Sequence, residues 1–122
     1  MARFKYYNIN PEGDKIGDCV VRAISLASGI PYEIIKRKLW LNGQLYDCDC
    51  ISKFCYSNLI RNVLGYKEVY CEGMTVGEFA DLHPRGTYLI RVPNHLTCII
   101  DGVNYDTWST LDQICDVAWE VG

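Results

Sequence analysis

The chain has 122 residues, 49% of them hydrophobic and 22% charged, and carries a net charge of −3 at neutral pH. That length suits a single domain over residues 1–122 with a real core, and the slightly acidic balance offers no electrostatic footprint for nucleic acid and no basic amphipathic face for a membrane. No apolar run approaches the roughly 20 residues that span a bilayer, and the N-terminus lacks an uninterrupted signal-peptide core, so a cytoplasmic protein is expected.

In chain order, Gly17-Asp18-Cys19 reads as a tight turn feeding a helix over residues 19–28, with Gly29 as its stop. Pro31 suits the first position of a second helix, Tyr32 to Trp40, ended by Asn42-Gly43. Seven cysteines, an odd count without a signal peptide, fit reduced thiols better than a disulfide framework. Three of them, Cys48, Cys50 and Cys55, cluster, but their spacing lacks the two-residue gap of a zinc knuckle and neither histidine stands at ligand spacing to them. Small buried hydrophobes are therefore expected there, with no metal and no cofactor.

Asp49 suits the cap of a third helix from about Ile51 to Leu64, stopped by Gly65. Lys67 to Cys71 reads as a short strand, and Thr75-Val76-Gly77-Glu78 matches a capping box opening a helix that runs to about Leu82. The loop His83-Pro84-Arg85-Gly86 breaks that helix. Three strands follow, Thr87 to Val92, His95 to Ile100 and Val103 to Trp108, and the alternation of Val117, Trp119 and Val121 predicts a fourth. Helices first and strands last indicate an α+β fold, with helices segregated against an antiparallel sheet.

Two of these segments carry chemistry. A thiol at a helix N-terminus faces unpaired N–H groups and the positive end of the helix dipole. Its pKa can fall from about 8.5 into the range of roughly 3.5 to 7.5, which makes Cys19 a candidate nucleophile. The Asp101-Gly102 pair between two alternating runs is the signal for a two-residue type I′ hairpin. That turn sets the register: Thr97 faces Asp106, His95 faces Trp108, and His95, Thr97, Ile99, Asn104, Asp106 and Trp108 share one side of the ribbon. The other side, with Leu96, Cys98 and Ile100, is greasier and is expected on the core.

His95 and Asp106 then become diagonal neighbours. Their Cβ atoms are expected roughly 7 Å apart, within reach for an imidazole N–H to meet a carboxylate. Aspartate on one ring nitrogen leaves the other free to take a thiol proton, and Trp108 is placed to shield the pair. His83, in a loop, is a weaker base candidate, and Asp18 is accounted for by the helix N-terminus.

Cysteine at the start of a helix, then histidine opening a strand, then aspartate on the next strand, resembles the layout of papain-like cysteine peptidases. Asp106-Thr107-Trp108 looks like the Asn-Ser-Trp element of that fold. More narrowly, Tyr7-Asn8-Ile9-Asn10-Pro11, Gly17-Asp18-Cys19-Val20-Val21-Arg22-Ala23, His95-Leu96-Thr97 and Tyr105-Asp106-Thr107-Trp108 are similar to small papain-like proteins of phages and bacteria. The stretch between these motifs has no counterpart in the resemblance.

The resemblance implies a papain-like fold and a thiol hydrolase cleaving peptide or isopeptide bonds, with Cys19, His95 and Asp106 as its triad. Its partner would be a protein or peptide substrate; for a phage protein the compartment would be the host cytoplasm. Papain-like peptidases usually carry an oxyanion-hole glutamine upstream of the nucleophile. Here Gly13 stands in its place, so Asn8 or Asn10 would have to substitute beside the Cys19 N–H. Two alternatives stay open: acyl transfer of the transglutaminase kind, and a low-turnover binding module, which the missing glutamine favours.

Overall fold

A computed structural model of the chain describes residues 3–10 and 18–122; the Gly17 turn and Gly13 lie outside the described residues. The elements run β1 (Arg3–Tyr6), α1 (Cys19–Ser28), α2 (Tyr32–Tyr46), α3 (Lys53–Asn58), a π-helical turn (Leu59–Val63), β2 (Lys67–Val69), α4 (Val76–Leu82), β3 (Thr87–Val92), β4 (His95–Ile100), β5 (Val103–Asp106) and β6 (Val117–Val121). The fold is α+β. Its sheet has six strands in the order β1-β5-β4-β3-β6-β2.

The sheet is mixed rather than antiparallel, because β1, which the residue pattern does not reveal, pairs parallel with the edge of β5. Nor are the helices segregated to one side. Leu89, Leu96 and Trp119 pack with α1, α2 and α3, whereas the alternate residues Tyr88, Ile90, Ile99 and Ala118 pack with Val76, Phe79 and Ala80 of α4. Both faces of the central strands are therefore core.

Where local signals are strong, the elements fall as expected. Asp101 and Gly102 have φ of 50° and 76°, the two left-handed residues that a type I′ turn requires, and Ile100 pairs with Val103. Gly29 ends α1 with φ of 75°. Thr75 and Glu78 form both bonds of a capping box, at 3.1 and 2.9 Å. Pro93-Asn94 turns β3 into β4, with Asn94 at φ of 58° as a type II turn demands.

Differences arise where tertiary contacts outweigh local ones. Helix α2 runs through Asn42-Gly43 to Tyr46, because the buried Asn42 amide donates to the Cys55 carbonyl at 2.9 Å instead of breaking the helix. Gly43 serves a close approach: a Cβ there would lie 2.8 Å from the Cys48 carbonyl oxygen. We expect Gly43→Ala to lower stability by about 1–3 kcal/mol, overpacking outweighing the up to about 1 kcal/mol that alanine adds to a helix interior. Urea denaturation midpoints read the sign directly.

Ser52, not Asp49, caps α3 by accepting from the Cys55 N–H at 3.3 Å, and the helix passes into a π-turn in which Leu64 N–H meets the Leu59 carbonyl at 2.9 Å. The extra residue in that turn buries Leu59 and Ile60 while exposing Val63. Strands β2 and β5 end two residues earlier than expected, β2 at Val69 and β5 at Asp106. No helix among the described residues is long and apolar enough to cross a membrane.

Candidate active site

Helix α1 packs against β4 with Cys19 as its first residue, and His95 is the first residue of β4, so the two meet at one end of the sheet. The hairpin register carries Asp106 to the same place: His95 Nε2 and Asp106 Oδ2 are 2.7 Å apart, and both side chains are largely buried. With Nε2 engaged, Nδ1 is left for the thiol. The Trp108 indole lies beyond the end of β5, its ring centroid 4.8 Å from that of the imidazole at a tilt of 49°. It covers the imidazole while remaining half-exposed to solvent.

The electrostatics follow from this placement. Burial alone would raise the Cys19 pKa, but a hydrogen bond with His95, the backbone N–H of Leu96 and the positive imidazolium outweigh it, and the thiol titrates below its ordinary value. Burial likewise opposes charge on His95, yet hydrogen bonds to Asp106 and Cys19 and their negative charges raise its pKa to about 9. Asp106 resists the upward push of burial through hydrogen bonds from His95 and Thr97, and its carboxyl is held below the usual range. All three shifts act in favour of a thiolate–imidazolium pair with an ionised aspartate behind it.

Asp106 is held on every side. The Thr97 hydroxyl donates to Oδ2 at 2.6 Å, the Thr107 N–H donates to Oδ1 at 2.7 Å, and Asn104 Nδ2 donates to the Thr97 hydroxyl at 2.9 Å. Thr110 completes the chain by donating its N–H and hydroxyl to Asn104 Oδ1, each at 2.9 Å. Thr97, Asn104 and Thr110 are buried, so this network locks the carboxylate.

A buried guanidinium outside the expected triad joins the site. Arg22, one turn into α1, forms an ion pair with Asp18, and its Nη2 lies 3.8 Å from Asp106 Oδ1 and 3.4 Å from the Thr107 hydroxyl. Asp18 makes no side-chain cap bond to α1; its carboxylate instead accepts from Arg22, from the Tyr32 hydroxyl at 3.1 Å and from Asn10 Nδ2 at 2.7 Å. Charges thus alternate from Asp18 through Arg22, Asp106 and His95 to Cys19. The Asp18–Arg22 spacing of four residues on one helix was the only signal in the sequence, and it is common on solvated helix faces.

The oxyanion candidates fare differently. Both N–H groups of the Asn10 amide are committed, one to Asp18 and one to the Tyr32 oxygen at 3.2 Å, so Asn10 is not available as the second donor. Asn8 turns its side-chain oxygen back to accept from the Asn10 N–H at 3.0 Å. Toward Tyr7 and Ile9, the pocket that the described residues form beside Cys19 holds about 10 Å³, barely a single water. Open space lies on the other side, a cavity of about 340 Å³ bounded by Cys19, His95, Val20, Tyr56, Val92 and Asn94 among others.

The competing His83 stacks on Phe79 at 4.0 Å and sets its Nδ1 2.9 Å from the Phe79 carbonyl, within the α4 layer. Among the described residues no group of three or more cysteine, histidine or acidic side chains is arranged to hold a metal ion. Comparison with known proteins finds no matching family model, no matching curated protein and no matching solved structure. What the site can do follows from its own geometry.

Proposed function

We propose that this chain is a papain-like thiol hydrolase that cleaves a peptide or isopeptide bond through Cys19, His95 and Asp106. The observation that carries the reading is the 2.7 Å His95–Asp106 contact behind a thiol that burial alone would keep protonated but whose pKa is lowered. Structural thiols elsewhere in the chain behave oppositely: burial pushes Cys98 up, and it pushes Cys115 to about 12.

In the proposed reaction the Cys19 thiolate attacks the carbonyl carbon, and the π pair moves to oxygen, where the Cys19 backbone N–H at the helix start can meet it. Collapse breaks the C–N bond. The departing amine takes the proton from His95 Nδ1 and leaves a thioester; neutral His95 then draws a proton from water as its oxygen attacks the thioester carbon. The acid is released and the thiolate–imidazolium pair is restored. Such chemistry suits a reducing compartment such as the cytoplasm, where thiols stay free.

The test is selective alkylation. With limiting iodoacetamide at pH 7, one label per molecule should appear first and map to Cys19, ahead of the half-buried Cys48 and Cys50, whose thiols are raised. Labelling spread evenly over the cysteines, or reaching Cys48 first, would overturn the proposal.

A further inference from the structure

The proposed reaction needs a second oxyanion donor, and among the described residues Asn10, its amide committed to Asp18 and Tyr32, does not supply it. We propose that the Tyr56 hydroxyl is that donor, a catalytic residue that hydrogen-bonds the tetrahedral oxyanion across the cavity from Cys19; the inference rests on the thiol-hydrolase reading.

Three observations point to it. Tyr56 lines the same 340 Å³ cavity as Cys19 and His95, on the side where a substrate has room to lie. It is buried at 4% exposure, whereas Lys53 and Asn94, which also line that cavity, are exposed. A donor acts in catalysis when it is preorganised and costs no reorientation as charge develops.

The third observation is what surrounds the hydroxyl. The Arg91 guanidinium lies close enough to lower its pKa. That guanidinium is itself fixed by Asp116 at 2.9 Å and by the Ser57 hydroxyl at 3.2 Å. The hydroxyl makes no hydrogen bond to another of the described residues, so its hydrogen is unengaged and can turn to the cavity. Burial, partly offset by Arg91, pushes the hydroxyl up to about 12, so it keeps its proton at neutral pH and remains a donor.

The test compares two reactions of Cys19 in Tyr56→Phe. p-Nitrophenyl acetate acylates the thiolate through a tetrahedral oxyanion; iodoacetamide alkylates it by displacement, with no oxyanion. The burst of p-nitrophenolate should slow at least tenfold and up to about 10²-fold, while alkylation of Cys19 stays within about twofold. Tyr56→Gln, which restores an N–H, should regain part of the burst rate. Equal loss in both reactions would mean that Tyr56 acts through the thiolate, and an unchanged burst would mean that it does nothing; either overturns the role. If wild-type Cys19 alkylates preferentially while Tyr56→Phe bursts normally, only the Tyr56 role falls. If wild-type Cys19 shows no preference, the hydrolase reading falls and takes the Tyr56 role with it.

Discussion

Replacing His95 with alanine should leave a protein that acylates slowly and then stops. In the wild type, p-nitrophenyl acetate should give a burst from thioester formation at Cys19 followed by steady release as His95 activates water. Without the imidazole, Cys19 becomes an ordinary thiol, ionised to only a few per cent at pH 7. Its alkylation should fall by roughly tenfold, because part of the lost thiolate fraction is offset by the greater nucleophilicity of a more basic sulfur. Steady release loses its general base as well and should drop by about 10²–10⁴, with the acetyl thioester visible by intact mass.

The pH profile carries the signature of the pair. Alkylation of the wild type should set in below the usual thiol range and stay level through the window where His95, at about 9, still holds its proton. In His95→Ala the onset should move up toward about 8.5. Cys19→Ser should show no burst at all. An unchanged onset in the alanine variant would mean that the imidazole does not govern the thiol.

Arg22→Leu should be the most destabilising of the single substitutions considered, by about 3–5 kcal/mol out of a total that for domains of this kind is about 5–15 kcal/mol. Arg22 is only 7% exposed, and its removal leaves the buried carboxylates of Asp18 and Asp106 without their shared cation. The pH dependence gives the cause. In the wild type the lowered pKa of Asp106 contributes stability above the unfolded value near 3.8, lost as the pH falls through the folded value. In the variant Asp106 keeps His95, Thr97 and Thr107, but the buried Asp18 carboxylate, left without its cation, favours the protonated form in the folded state, so the deficit should be smallest near pH 4 and grow toward pH 7. Urea denaturation at the two pH values would show it; a deficit equal at both would point to lost packing rather than lost charge.

What residue order determined about this protein is local. The Asp101-Gly102 pair admits a two-residue turn, and the two-residue period of strands then places His95 and Asp106 on one face without reference to the rest of the chain. Cys19 at a helix start and the Thr75–Glu78 capping box are likewise written within one turn of backbone. Only the tertiary structure decided the remainder, because those contacts join segments far apart in sequence. Arg22 meets Asp106 across 84 positions and Arg91 reaches Ser57 across 34. Neither pairing has a spacing rule, since each depends on how a helix face docks on a sheet. The same holds for β1, whose four residues become a strand by adding to the edge of β5, and for Asn42-Gly43, whose helix-breaking tendency yields to the Cys55 carbonyl and the close approach of Cys48. Local propensities are worth about 1 kcal/mol or less per residue, and a buried hydrogen bond or a packed neighbour is enough to reverse them.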